Sequence, residues 1–309
     1  MSDHSSPANW ALRASVIAAG IAGLALSSGP VRAAGSDSPP DFAPNPGVGW
    51  VASPGPFMPP PSGPGPVPAI NGRGSGNAAF IARGAQPMFD MGDPDAPILQ
   101  PWARELVRKR NEDIMAGKPG FTRQASCWPN GTPAFLLYPQ QPVYFVQTPK
   151  EVVMTWQGDH QFRYVYMNTP HSANPKPSWY GESVGHYEGD TLVVDTIGIS
   201  ERTLVDNFGT PHTAQLHTIE RFRMTNNGLQ MEVDLHVEDP GTFTTAWDAM
   251  QRYRRVEPGV AELPRRADDF LTAAGNPGPM LESSCAENPH GLFDAPGTLP
   301  IPQADKPDF

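Results

Sequence analysis

The chain has 309 residues, 32 acidic against 22 basic, and a formal net charge of −10. Its 38 prolines and 30 glycines gather toward the two ends, so the stretch able to build a core suits one domain better than two. An acidic chain without a basic stripe is repelled by phosphate backbones, which sets nucleic acid aside as a partner.

From the N-terminus, Arg13 opens an apolar run, Ala14 to Leu26, that is too short for a bilayer, which takes about 20 residues. Val31-Arg32-Ala33 follows as a small-residue cleavage site. Residues 1–34 therefore read as a signal peptide, and the mature protein is expected in the periplasm or secreted, with no membrane span left. Cys127 and Cys285 both survive the cleavage; in an oxidising compartment they are expected to pair. Closing so long a loop contributes up to about 4–5 kcal/mol in the chain-entropy account.

Residues 35–85 carry Pro39-Pro40 and Pro59-Pro60-Pro61 and show no periodicity, the texture of a disordered tether. Residues 86–290 read as the single folded domain and 291–309 as a flexible tail. The run from Pro97 to Ala103 leads into a helix expected to reach about Gly117, with Trp102, Leu106 and Ile114 on its apolar side and Arg108-Lys109-Arg110 in water. Strand texture then fills 143–147, 152–156, 162–167, 183–187, 191–197, 216–224, 229–237 and about 245–255. Tight turns are marked by Glu188-Gly189-Asp190 and Thr225-Asn226-Asn227-Gly228. In 229–237, Met231, Val233, Leu235 and Val237 alternate with Gln230, Glu232, Asp234 and His236, so one face is dry and the other wet. The fold class is all-β: an antiparallel up-and-down barrel of about eight strands, lipocalin-like, with a short helix before it.

Two connections are long. Residues 168–182 hold His171 and Trp179, and 198–215 hold Asp206 and His212. Long ordered loops in a compact domain are usually lids or binding loops, which puts the barrel mouth here. His212 and His217, with Asp206 before them and Glu220 after, are candidates for general acid–base work. Their five-residue spacing fixes no shared face, unlike the four-residue spacing of helical zinc motifs. Parity sends Leu216, Thr218, Glu220, Phe222 and Met224 inward and His217, Ile219, Arg221 and Arg223 outward. An inward Glu220 needs a partner, and Arg163 is the candidate counter-charge, for a structural tie or a polar site. The same reasoning, applied to Val193, Asp195 and Ile197, takes Asp195 inward. Trp179 and Tyr187 are pocket-lining candidates, Trp156 and Trp247 plain core, and His160 and His236 surface residues. No phosphate-cradling glycine loop, nucleotide fingerprint or nucleophile elbow is present.

Three runs, WYGESVGHYEGDTLVV from Trp179, GTPHTAQLHTIERF from Gly209, and Glu238-Asp239-Pro240, carry a resemblance. The chain resembles a large, mostly uncharacterised family of exported bacterial proteins with a lipocalin-like (calycin-type) barrel. Pro101-Trp102-Ala103, Cys127-Trp128-Pro129-Asn130-Gly131 and Cys285-Ala286-Glu287-Asn288 extend it across roughly 98–290. The resemblance implies the Cys127–Cys285 pairing and marks Trp179, Asp206, His212, His217, Glu220 and Asp239 as family polar positions. Tyr187 stands where the family has tryptophan and Thr210 where it has histidine, so a histidine role at that second position does not carry over.

The expectation for function is an exported enzyme doing cofactor-independent, metal-free proton transfer on a small apolar or aromatic molecule inside the barrel: elimination, hydration or isomerisation. His212 would be the base, with His217 the alternative, Asp206 orienting it and Glu220 with Arg163 polarising the substrate. Trp179, Tyr187, Asp195, His171 and Asp239 would surround that substrate. The rivals are a non-catalytic carrier and a metal-dependent hydrolase built from His212, His217, Asp206 and Glu220.

Overall fold

The computed structural model describes residues 38–70, 90–116, 128–137, 142–156 and 162–256. The signal peptide, Cys127, Cys285, His160 and everything after residue 256 lie outside the described residues. Nine strands form a closed barrel in chain order: β1 (Gly49–Ala52), β2 (Val143–Gln147), β3 (Glu151–Trp156), β4 (Phe162–Met167), β5 (Glu182–Glu188), β6 (Thr191–Ile197), β7 (His217–Thr225), β8 (Gln230–Glu238) and β9 (Trp247–Val256). The only long helix among the described residues is α1 (Pro101–Met115), started by a proline in its first turn, where the missing N–H costs nothing.

The all-β barrel is as expected, but its strand count and pairing need correction. All neighbours are antiparallel except β4 and β5, which run parallel with Val165 opposite Ser183 and Met167 opposite Gly185. Strand directions cannot alternate all the way round a ring of nine, so one parallel pair is a geometric requirement. The connection 168–181 meets it by returning the chain to the starting end, which no tight turn can do.

The ninth strand comes from the supposed tether. β1 pairs with β9 (Trp50 opposite Arg255) and with β2 (Trp50 opposite Val143), closing the ring. Phe42, Val48, Trp50, Phe57 and Val67 are buried, so 38–70 belongs to the barrel. Trp50 donates its indole N–H to the Phe42 carbonyl (2.8 Å), and the Phe42 amide donates to Gln147 Oε1 (2.7 Å). The strap then continues along β9, with Met58 and Met250 exchanging both backbone hydrogen bonds at 2.9 Å. Proline-rich spacing hides these anchors because each apolar side chain is held singly and no periodicity arises.

Inward side chains fill the barrel. Phe42 stacks on Phe145 at 4.8 Å, Phe145 meets Phe222 edge-on, and Trp247 lies between Phe57 and Phe243. Met231, Val233, Leu235 and Val237 join them from β8 in one continuous cluster. Gly185 faces inward at the parallel seam, where a Cβ would lie 2.7 Å from Val165 Cγ1. Only glycine allows β4 and β5 to approach there.

The helix buries Ile114 as expected but turns Trp102 and Leu106 outward. Ala103, Val107, Asn111 and Ile114 are buried, while Trp102 and Leu106 are exposed. Trp102 instead ties the helix to the barrel by donating its indole N–H to the Gly241 carbonyl (2.7 Å). Arg110 is not in open water either: its stem packs on Gly209 and its charge lies near Asp206 and Asp90. Burial pushes its pKa down, against the pull of both carboxylates. Gly209 has φ +82° and a Cβ there would sit 2.4 Å from Arg110 Cδ, so the loop needs glycine twice over.

Candidate functional site on the outer wall

Inside the barrel, β4 alternates exposed and buried positions, which sends Arg163 inward. Glu220 enters from β7, and the two form a fully buried, two-pronged ion pair: Arg163 Nη1 donates to Glu220 Oε1 at 3.1 Å and Nη2 to Oε2. Arg163 also donates to Ser183 Oγ (3.1 Å) and Thr196 Oγ1 (2.8 Å), and its guanidinium lies 4.8 Å from the Phe135 ring centre. Those bonds occupy the guanidinium and link β4 to β5, β6 and β7. Nearby, burial beside Glu220 raises the pKa of the Tyr253 phenol well above its ordinary value, and the phenol donates to the Leu136 carbonyl (2.8 Å).

His212 is buried in the 198–216 connection. Burial lowers its pKa, so the ring is neutral. Its Nδ1–H donates to the Thr213 carbonyl (2.9 Å), leaving Nε2 to accept the Thr203 hydroxyl (2.7 Å). Its hydrogen bonds thus run to a hydroxyl and a carbonyl, not to Asp206. Asp206 Oδ1 accepts the amides of Phe208 (2.8 Å) and Thr210 (3.1 Å), shaping the loop against Arg110. Asp239 accepts from the Thr213 amide (2.7 Å), the Thr213 hydroxyl (2.6 Å) and the Gly241 amide (3.1 Å). Trp179 sits against Trp128 at 5.3 Å with the Arg202 guanidinium over both rings. Tyr187 accepts from Gln147 Nε2 (2.9 Å) beside the strap. Arg163 and Glu220 lie in the barrel interior, while Trp179, Asp206, His212 and Asp239 lie in the connections between strands.

The outer wall gathers others. Asp195 faces outward, contrary to expectation: Leu192, Val194 and Thr196 take the buried inward positions. Strand β6 is apolar on both sides, so alternation alone does not choose its face. The β-register puts His217 opposite Glu238 and His236 opposite Asp248. A ladder of alternating acids and imidazoles results, running across β5 to β9. His171 Nδ1 meets Glu182 Oε1 (3.2 Å) and its Nε2 meets Asp195 Oδ1 (3.0 Å). His217 Nε2 meets the same Asp195 oxygen (2.9 Å) and its Nδ1 meets Glu238 Oε2 (3.4 Å). His236 Nε2 meets Glu238 Oε1 (3.1 Å) and its Nδ1 meets Asp248 Oδ1 (2.7 Å). At the β5 end, Glu182 also accepts the Ser172 amide (2.6 Å) and hydroxyl (2.7 Å).

Every imidazole in this ladder has a carboxylate oxygen at both nitrogens. A neutral ring carries one N–H, so both contacts are hydrogen bonds only when the ring is protonated. For His236, burial lowers the pKa, but the hydrogen bonds and charges of Asp248 and Glu238 outweigh it and the net direction is up. Glu238 is pushed down by hydrogen bonds from His236 and His217, and Glu182 by those from Ser172. At the His236–Glu238 rung both shifts favour the charged pair. Among the described residues no three such side chains are arranged to hold a metal ion. His212 and His217 do not converge, one being held by Thr203 and Thr213 and the other by Asp195 and Glu238.

At the β8–β9 end the ladder borders a cleft of about 260 Å³. Pro60 and Pro61 of the strap line it, with Ile219, Leu235, Ala249 and Met250, and its polar side chains are His236, Asp248, Asp234 and Arg221. Sequence reasoning placed His236 on the wet face, and correctly so. It missed that the cross-strand partner of that histidine is an aspartate and that the strap makes a wall over the wet face. Parity held the first signal, since His236 and Glu238 share a face; the second needed β1 and its continuation. Comparison with family models, with curated proteins and with solved structures returned no match.

Proposed function

We propose that this protein is an exported, cofactor-independent enzyme that transfers protons on a small, largely apolar or aromatic molecule, with His236 in the outer-wall cleft as its acid. The observation that carries this is the His236–Asp248 pair on the wall of an otherwise mainly apolar cleft. Small-molecule sites are commonly of this kind, apolar with a few convergent polar groups. Asp248 at 2.7 Å orients the ring through Nδ1, and the longer 3.1 Å contact leaves the Nε2 proton easier to give up. A raised pKa favours the ring that carries that proton. Elimination, hydration and isomerisation each pair such a donor with a group that takes a proton, for which Asp234 on the cleft wall is the candidate. The buried Arg163–Glu220 pair and neutral His212 are assigned to holding strands and loops together.

The experiment is solvent-deuterium incorporation into a panel of enolisable aryl ketones by the purified mature protein, wild type against His236→Gln. Exchange above the buffer rate is expected in wild type and loss of at least about 100-fold in the variant, the usual scale for one acid–base group. Asp248→Asn should move the high-pH limb of the profile downward. Exchange that survives His236→Gln at the wild-type rate, with a fold unchanged by circular dichroism, refutes the assignment. Saturable ligand binding with no exchange by wild type supports a carrier instead.

A further inference from the structure

The outward face of β2–β4 differs in kind from the rest of the barrel wall. On β7–β9 the outward positions are largely charged, among them His217, Arg221, Arg223, Glu232, Asp234, His236, Glu238, Asp248 and Arg252. On β4 they are Phe162, Tyr164 and Tyr166, which remain 52%, 47% and 47% exposed, and β2 adds Val146 at 55%. The register assembles these side chains into rows. Tyr144, Thr155 and Phe162 form one, Val146, Val153 and Tyr164 the next, and Glu151, Tyr166 and Val184 the last. Eight of these nine residues are uncharged. Phe162 and Tyr164 touch at a ring separation of 6.5 Å, so the surface between them is continuous.

From this wall we infer that the mature protein self-associates, two copies meeting face to face through β2–β4 about a two-fold axis near Tyr164. Aromatic enrichment with charge depletion is what distinguishes the core of an interface from ordinary surface. Area decides how strong the contact can be. Three half-exposed rings at about 200 Å² each leave about 300 Å² open. Val146 and the part-exposed Tyr144, Val153 and Val184 bring the patch to roughly 450 Å², within the size range of functional patches. A self-complementary pair buries twice that, close to the ~1,000 Å² at which specific interfaces begin. The dimer is therefore a weak one, formed and broken in solution. Its face lies on strands other than those carrying His236 and Asp248, so the inference stands independently of the proposed activity.

The test is sedimentation velocity on the full mature protein from about 1 to about 500 µM, a range spanning the expected affinity. The weight-average mass should climb from monomer to dimer. Tyr164→Lys puts like charges across the two-fold axis and should weaken association at least about tenfold, while Tyr164→Phe should leave it intact. Both side chains replace an exposed residue, and matching thermal melts will show that each variant folds. A wild type that stays monomeric throughout overturns the inference, as does association that Tyr164→Lys leaves unchanged. Dimers that form through Tyr164 only after removal of residues 257–309 assign the wall to that tail and also overturn it. So does a monomer that binds polysaccharide or lipid vesicles through Tyr164.

Discussion

Replacing Glu220 by glutamine keeps the shape of the buried pair and removes its negative charge. Arg163 and Glu220 are 2% and 0% exposed, so the guanidinium would be left inside the barrel without a counter-ion. Ser183, Thr196 and the Phe135 face remain around it, but they offer dipoles rather than charge. Breaking a buried ion pair from one side costs about 3–5 kcal/mol. In a domain of this size that lowers Tm by roughly 10–15 °C, a large part of a typical total stability of about 5–15 kcal/mol. The pair itself is a different matter, because desolvating both ions offsets most of their attraction. Arg163→Met with Glu220→Leu should therefore sit within about 2 kcal/mol of wild type, since Ser183 and Thr196 still bond each other at 2.9 Å. Urea unfolding of wild type, Glu220→Gln and the double variant checks both figures. A single variant that melts within about 2 °C of wild type refutes the reasoning, because the guanidinium would then be solvated where burial says it is not.

Trp50→Ala should cost about 3–5 kcal/mol by urea unfolding, the range for a large buried aromatic, and a loss under about 1 kcal/mol would mean the strap is not part of the fold. The His236 contribution to stability depends on pH with a defined sign: its folded pKa is raised, so the gain is complete below the unfolded value of about 6.5 and disappears as pH rises through the folded value. Midpoint differences between wild type and His236→Gln should shrink from pH 6 to pH 9. They should stay under about 1 kcal/mol, because the pair is partly solvated. A gap that widens with pH reverses the sign and sinks the raised pKa of His236.

Much of the barrel was legible from periodicity. Eight strand segments fall within a residue or two of the strands β2 to β9, because alternation and turn residues act locally. The direction of Glu220 followed from parity, since the flanking Thr218 and Phe222 are buried and His217 and Arg221 are not, and its need for a counter-charge made Arg163 the candidate partner. Parity failed at Asp195, where Val193 is also buried, so neither face of β6 reads as dry. It failed on the helix because Trp102 earns its place by one indole hydrogen bond to Gly241 rather than by burial. The ring of nine is a single lesson: overlooking β1 and overlooking the parallel β4–β5 pair are the same omission, because eight strands alternate round a closed ring and nine cannot.

The sequence by itself determined the residues of eight of the nine strands, which of their faces are apolar on most of them, and that one buried carboxylate needs a buried cation. These are properties of neighbours two or four residues apart. Tertiary structure decided that a proline-rich strap closes the barrel, that Asp195 joins the outer wall, and that His171, His217 and His236 fall into one ladder with four carboxylates. Those residues span 171 to 248 in the chain, and only strand register sets which imidazole meets which acid. Register is fixed by the packing of the opposite, inward face, so the chemistry outside the barrel is positioned by the core within it.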